Sequence, residues 1–377
     1  MRGRIRWIAR CTAWAVALGA LAPGALAATP TEQLAIVQTG NGGPEVLKLQ
    51  TIPVLEPGNC EVLIRVYAAS VNPSDWKQRI GAGAPPPAPT AASAPVDCGG
   101  MSARKAGGAT EALSSVPGLD VAGVVAKVGR GVTTVKVGAP VFSMIGRSPD
   151  AGLNGAYSQY VIAPSSNVVP KPNNLTYGQA AGLGAAGITG VRSVDQAKVR
   201  AGERVLITGV AGGVGSSAAQ AAIARGAHVI GTATPRHAAF LKSIGVKNAI
   251  DYTLGDWVDK VDSVDVVIDT VGGDTALMAF NAVKKGGTFI SVVSRDISPE
   301  KCAEAGIHCP AGGPPGPAAS EGELLKQVAA LARAGKFKVH VDRSYPLAQA
   351  AQAQEYNRTG HTEGKVVIAV TAQANQK

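Results

Sequence analysis

The sequence predicts an α/β protein in which a small β-barrel precedes a doubly wound parallel sheet. Three observations predict it. Residues 33–166 are strand-like and punctuated by glycine, whereas from Ala180 onward helical and strand patterns alternate. Between them in kind, "ITGVAGGVGSSAAQAA" (residues 207–222) crowds Gly209, Gly212, Gly213 and Gly215 between an apolar run and an alanine-rich one. Composition agrees: 377 residues, 46% hydrophobic and 16% charged, are enough for two cores and too apolar for a disordered tail. Aromatic residues make up only 4% against 47 glycines, so alanine, valine and glycine carry the packing.

In the barrel region "VLIRVYAASV" (62–71), "DVAGVVAKVG" (120–129) and "APVFSMI" (139–145) alternate with turns. "RVLI" (204–207) is a short apolar run suited to a buried parallel strand. "SSAAQAAIAR" then reads as a helix ended by Gly226, and "AHVIGT" (227–232) as a second strand, which completes a βαβ unit. In such a unit the glycines let the backbone approach a pyrophosphate, while the free N–H groups and positive dipole end of the helix hold its charge. In the six-residue G-x-G-x-x-G register the first glycine is replaced by Val210. "NAIDY" (248–252), "VDVVIDTVGG" (264–273) and "GGTFISVV" (286–293) supply three further strands. After Lys338 a helix flanked by β segments fits completion of the barrel domain better than extension of the parallel sheet.

The N-terminus, "MRGRIRWIARCTAWAVALGALAPGALAATP", has a positive start, an uncharged stretch from Cys11 to Pro30 and small residues at Ala25 and Ala27. It reads as a secretory signal over residues 1–28. An uncleaved anchor and an unused upstream extension are the competing readings; Pro23 and the A-x-A ending argue against a permanent span. Without Arg2, Arg4, Arg6 and Arg10 the net charge of +10 falls to about +6, spread without a basic run. That is a mildly basic surface and not a nucleic-acid footprint. The expected localisation is the periplasm, or the cytoplasm if the extension is not a working signal, with no stable membrane insertion after cleavage.

Beyond these readings, most of the remaining chain resembles the zinc-independent quinone oxidoreductase branch of the medium-chain dehydrogenase/reductase superfamily. The matching stretches are "SVNPSDWKQRIG" (70–81), "PGLDVAGVVAKVG" (117–129), "GAYSQYVIAP" (155–164), "AGGVGSSAAQ", "VIDTVGG" and "GHTEGKVV". The resemblance implies a GroES-like catalytic domain over 29–166, a Rossmann domain binding NADP over 167–338, a return to the catalytic domain over 339–377, and a cleft for cofactor and substrate. It also implies a homodimer. Zinc enzymes of the superfamily carry a Cys before the first barrel helix and a later Gly-His-Glu; here those places read "NPSD" (72–75) and "GLD" (118–120), so no metal is expected.

An NAD-specific fold places an acid about 20 residues after the glycines. This chain reads "GTATPRH" there, so Thr232, Thr234 and Arg236 face the place of a 2′-phosphate, and by resemblance Tyr252 lies beside it. With Gly212, Gly213, Val214 and Gly215 these residues are expected to bind NADPH. Arg236 as an ordinary solvated arginine is the competing reading. By resemblance Asn72, Lys77 and Thr189 border the nicotinamide and the acceptor, and Val271 and Val293 offer backbone groups to the carboxamide. The expected reaction is hydride transfer to a quinone or an α,β-unsaturated carbonyl, with polar donors stabilising the oxygen on which charge collects. Because export would put the chain where soluble cofactor is scarce, a catalytically idle NADP(H)-binding sensor or accessory protein is the alternative.

Two segments depart from the family pattern. Residues 81–116 form a long insertion rich in Pro, Ala and Gly, expected to be mobile. Residues 298–317 add Cys302 and Cys309 near a sheet edge; with Cys60 and Cys98 they allow three pairings, of which Cys302 with Cys309 is the most local.

Overall fold

The structure, a computed structural model, describes residues 29–82, 115–145, 152–293, 296–310 and 320–377. Residues 1–28, expected to be a secretory signal, and most of the 81–116 insertion, expected to be mobile, lie outside the described residues.

Strands β1 (Glu32–Gln38) and β2 (Leu47–Pro53) form an antiparallel pair. Next come β3 (Glu61–Val71), the short helix α1 (Pro73–Arg79), β4 (Asp120–Val128), β5 (Pro140–Met144), β6 (Tyr160–Pro164) and β7 (Val168–Pro170). Helices α2 (Tyr177–Ala181) and α3 (Ala185–Gln196) lead into a parallel sheet built from β8 (Arg204–Ile207), β9 (His228–Thr232), β10 (Asn248–Ile250), β11 (Val264–Asp269) and β12 (Val283–Ser291). Helices α4 (Gly213–Ala224), α5 (Ala238–Ser243) and α6 (Gly273–Asn281) alternate with those strands, and α7 (Pro299–Ala305) and α8 (Glu321–Arg333) follow. The chain closes with β13 (Val341–Pro346), α9 (Ala350–Arg358) and β14 (Lys365–Ala369).

The parallel sheet runs β10-β9-β8-β11-β12, so the order reverses beside β8. A crevice at the carboxyl ends of the strands follows from that reversal. The other sheet runs β13-β14-β3-β4-β5-β7, with β6 on β3. Because β14 pairs antiparallel with β3, placing Val366 opposite Val71, the C-terminal strands belong to this sheet. That pairing also carries Lys365 to the end of β3, beside Asn72.

Two local features aim the glycine turn. Helix α4 begins at Gly213, three residues before the run that starts at Ser216, so the glycines form its cap and first turn and not a separate loop. A Cβ on Gly215 would stand 2.3 Å from the Gly209 carbonyl, which is why strand and helix approach so closely there. Val210 is fully buried, and a Cβ on Gly231 of β9 would fall 2.3 Å from its Cγ1. The bulk gained at position 210 is accommodated by the absence of a side chain at 231.

Candidate active site

The glycine turn, the ends of β9 and β11, and the segment before β14 enclose a cavity of about 250 Å³. Gly212, Gly213, Val214, Gly215, Thr232, Thr234, Tyr252, Val271, Val293 and Asn72 all line it. Sequence reasoning therefore brought most of its candidates to one place. The first-turn N–H groups of α4 have no acceptor within the helix and face this space as donors for an anion. Gly364 sits opposite them: its N–H donates to the Ala211 carbonyl at 2.8 Å, joining the turn to the C-terminal segment.

Individual candidates are used differently from the expectation. Thr232 is buried and its hydroxyl accepts the Gly209 N–H at 3.1 Å, so it braces the turn, whose Gly209 has a φ of 61°. The Thr234 hydroxyl is buried without a hydrogen-bond partner, an unsatisfied polar group in the cavity wall that a ligand oxygen would satisfy. The N–H groups of Val271 and Val293 are engaged by Asp269 Oδ1 at 3.1 Å and by Ser291 Oγ at 3.4 Å. Their carbonyls are left to accept from a carboxamide. Asp269 ties the sheet ends together, since it also accepts from the hydroxyls of Thr208 and Ser291 at 2.6 and 2.7 Å.

Three candidates fall outside the lining. Lys77 is half-buried on α1 with Nζ 5.7 Å from the Trp76 ring centre, and it does not line the cleft. Thr189 lies one turn beyond the lining residue Ala186 on α3, where its carbonyl accepts the Ser193 hydroxyl. The exposed Arg236 donates from Nε to His237 Nε2 at 3.0 Å and from its guanidinium to the His361 carbonyl. It reaches across the mouth to the C-terminal segment without lining the cavity. Beside it His237 Nδ1 meets Glu363 Oε2 at 2.7 Å, and His340 Nε2 meets Oε1 at 3.2 Å.

The residues that sequence reasoning missed are buried charges. Lys365 lines the cavity and is 5% exposed; its Nζ donates to the Val71 carbonyl at 3.0 Å and to Asn72 Oδ1 at 2.6 Å. Burial holds this ammonium below the usual lysine range, against the opposing pull of Asp120 and Asp75. Asp120 is fully buried: Oδ2 accepts from Ser70 Oγ and Asn72 Nδ2, both at 2.8 Å, and Oδ1 accepts the Ala185 N–H at 2.7 Å. Asp75 accepts the Asn72 N–H and the Tyr157 hydroxyl, each at 2.9 Å; burial pushes its carboxyl up to about 6 in spite of these donors. The signal was there to be found, because "GLD" and "GHTEGKVV" carry Asp120 and Lys365. What the string could not show is that these two residues, 245 positions apart, meet.

This donor set does not suit zinc. Leu119 has no ligand atom, both oxygens of Asp120 are taken by protein donors, and the neighbouring cation is an ammonium. Among the described residues no cluster of three His, Cys, Asp or Glu could hold a metal ion. It does suit a dinucleotide: an anion-binding helix start, an orphaned hydroxyl where the second strand ends, and free carbonyls at Val271 and Val293.

Comparison with known proteins points the same way. Residues 58–173 match the alcohol dehydrogenase GroES-like domain and residues 244–368 the zinc-binding dehydrogenase family. The chain is 32% identical over 352 residues to an Arabidopsis thaliana protein named NADPH-dependent alkenal/one oxidoreductase, covering 91% of this chain and 81% of that one. It is 30% identical to the quinone oxidoreductase of Mus musculus, covering 87% and 95%. Among solved structures the quinone oxidoreductase of Coxiella burnetii superposes with a TM-score of 0.75 at 32% identity, over 90% of this chain and all of that one.

Proposed function

The chain belongs to the quinone oxidoreductase branch of the medium-chain dehydrogenase/reductase superfamily, and we propose that it reduces a quinone or an α,β-unsaturated carbonyl with NADPH. It is an oxidoreductase acting on a small molecule. The observation that carries the proposal is the cavity itself: on one wall a glycine turn whose helix start offers free N–H groups to an anion, and on the other a buried amide, Asn72, fixed between a cation and a carboxylate.

In this reading the first turn of α4 binds the diphosphate, and the carbonyls of Val271 and Val293 orient the carboxamide. When bound there, the nicotinamide supplies the hydride. Asn72 donates to the carbonyl oxygen of the acceptor, where charge collects as the double bond is reduced. Preference for the 2′-phosphorylated cofactor is part of the proposal. It is supported by the unpaired Thr234 hydroxyl, by Arg236 two residues on, and by the lack of an acid at the end of β9. A homodimer and export to the periplasm are proposed with it, the first from the family and the second from the N-terminal pattern; the Cys302–Cys309 disulfide suits an oxidising compartment. Light scattering of the purified protein and N-terminal sequencing after cell fractionation measure these two.

The test is NADPH consumption at 340 nm across a panel of quinones and enones. Turnover of at least one class is expected; tight cofactor binding without oxidation against the whole panel overturns the proposal.

A further inference from the structure

The carboxamide of Asn72 is almost filled by its neighbours. A primary amide offers one acceptor oxygen and two donor hydrogens. Here Oδ1 accepts the Lys365 ammonium at 2.6 Å, and one hydrogen on Nδ2 goes to Asp120 Oδ2 at 2.8 Å. The second Nδ2 hydrogen is left for the cavity that Asn72 lines. Turning the amide over would set its nitrogen against an ammonium and its oxygen against a carboxylate. Both contacts would become repulsive, so the pair of charges decides which edge faces the cleft.

We propose that Lys365 is a positioning residue which, with Asp120, locks the amide of Asn72 so that it presents a hydrogen to the oxygen of the bound acceptor. Lys365 stands where the two walls meet. Its head reaches the end of β3 through the Val71 carbonyl, while its stem lies against the glycine turn, where a Cβ on Gly213 would be 2.8 Å from Lys365 Cδ. Asp120 is held in turn by Ser70 and by the Ala185 N–H at the start of α3, so neither partner of Asn72 is free to rotate. An oxygen that gains charge during reduction thus meets a donor already oriented, with nothing to reorganise. This inference rests on the reaction proposed above.

A double-mutant cycle on the full chain tests it, with NADPH and an enone that the wild type reduces. Lys365→Met and Asn72→Ala are each expected to lower kcat by about 10²-fold, while NADPH affinity measured by fluorescence changes less than about threefold. The double variant is expected to be no slower than Asn72→Ala alone, since Lys365 acts through that amide. Losses that multiply, or a loss confined to KM, overturn the proposal. Should Lys365→Met not fold, selective ¹⁵N-asparagine labelling of the unaltered protein decides the matter. The Asn72 side-chain pair, assigned by its disappearance in Asn72→Ala, is expected to show one proton displaced downfield by the carboxylate and slow to exchange with water, while its geminal partner is not. A pair at the shifts of a solvent-exposed asparagine, both protons exchanging rapidly with water, overturns the proposal. Because this measurement needs no acceptor, a locked amide in a protein that reduces nothing would refute the reaction and not the positioning.

Discussion

Arg236, though exposed, bonds to protein through His237 and the His361 carbonyl, and a phosphate would have to replace the weaker of these partners. A guanidinium exchanging a neutral carbonyl for a phosphate gains a charge-assisted contact of about 1.5–3 kcal/mol. Arg236→Ala is therefore expected to weaken NADPH binding by roughly 10-fold to 150-fold and to leave NADH nearly unchanged. Fluorescence titration with both cofactors measures it, and equal losses would make Arg236 a strut across the cleft mouth. Asp75 is a second residue with a measurable signature. Burial raises its carboxyl from 3.8 in the unfolded chain to about 6 in the fold, so the native state holds the proton more tightly. The resulting stabilisation is complete below the unfolded value and is lost as pH rises through 6. Relative to Asp75→Asn, whose amide oxygen can still accept from Asn72 and Tyr157, the wild type should lose about 2 kcal/mol between pH 4 and pH 7. Urea midpoints of the two proteins across that range check the sign; a flat difference would mean that Asp75 is ionised throughout.

The turn before helix α4 and strand β9 meet at Val210 and Gly231, and their fit is specific to this pair. A methyl group at 231 would overlap the Val210 side chain, and overpacking of that size costs about 1–3 kcal/mol. Gly231→Ala should lower stability by that amount and weaken cofactor binding, because the glycine turn moves with Val210. Adding Val210→Ala should restore both. If the double variant is as unstable as the single one, the space at Gly231 serves something else. The edge of the parallel sheet is managed by another element. Cys302 on α7 is joined to Cys309, and the intervening chain pairs with β12: Gly286 N–H donates to Gly306, Phe289 N–H to His308, and His308 N–H back to Gly287, each at 2.8 Å. An open edge strand is thereby covered. Replacing both cysteines by serine should remove about 2–3 kcal/mol of loop constraint and make the Phe289 and His308 amides exchange at least tenfold faster. Unchanged exchange would show that the pairing holds without the bridge.

At the scale of the molecule the cleft is closed by few contacts: Arg236 with His361, His237 with Glu363, Gly364 with Ala211, and the Lys365 cluster. A ligand that touches both walls adds to them. NADPH at 100 times its dissociation constant should stabilise the fold by about 2.7 kcal/mol, seen as a melting temperature that climbs with the logarithm of cofactor concentration. Dialysis against EDTA should change neither that temperature nor the rate of turnover, because a protein cation already sits beside Asp120. Loss of both together with bound zinc would overturn this.

How much of this was legible beforehand follows from the range of each interaction. The glycine turn, its flanking strand and helix, and the residues at the end of β9 were readable because their geometry is set within about 30 residues of chain by period, turn chemistry and helix polarity. The local disulfide was readable for the same reason, since Cys302 and Cys309 are seven positions apart. By itself the sequence determined the fold class and the glycine turn that forms one wall of the cavity. Resemblance to the family put Lys77 with Asn72 at the other wall. Only the tertiary structure decided otherwise, through the pairing of β14 with β3 that sets Lys365 against Asn72 and Asp120 across 293 and 245 residues. Sequence order carries no information on which distant charge a buried amide will meet. Desolvation does, because each of these charges is stable inside the protein only beside the others.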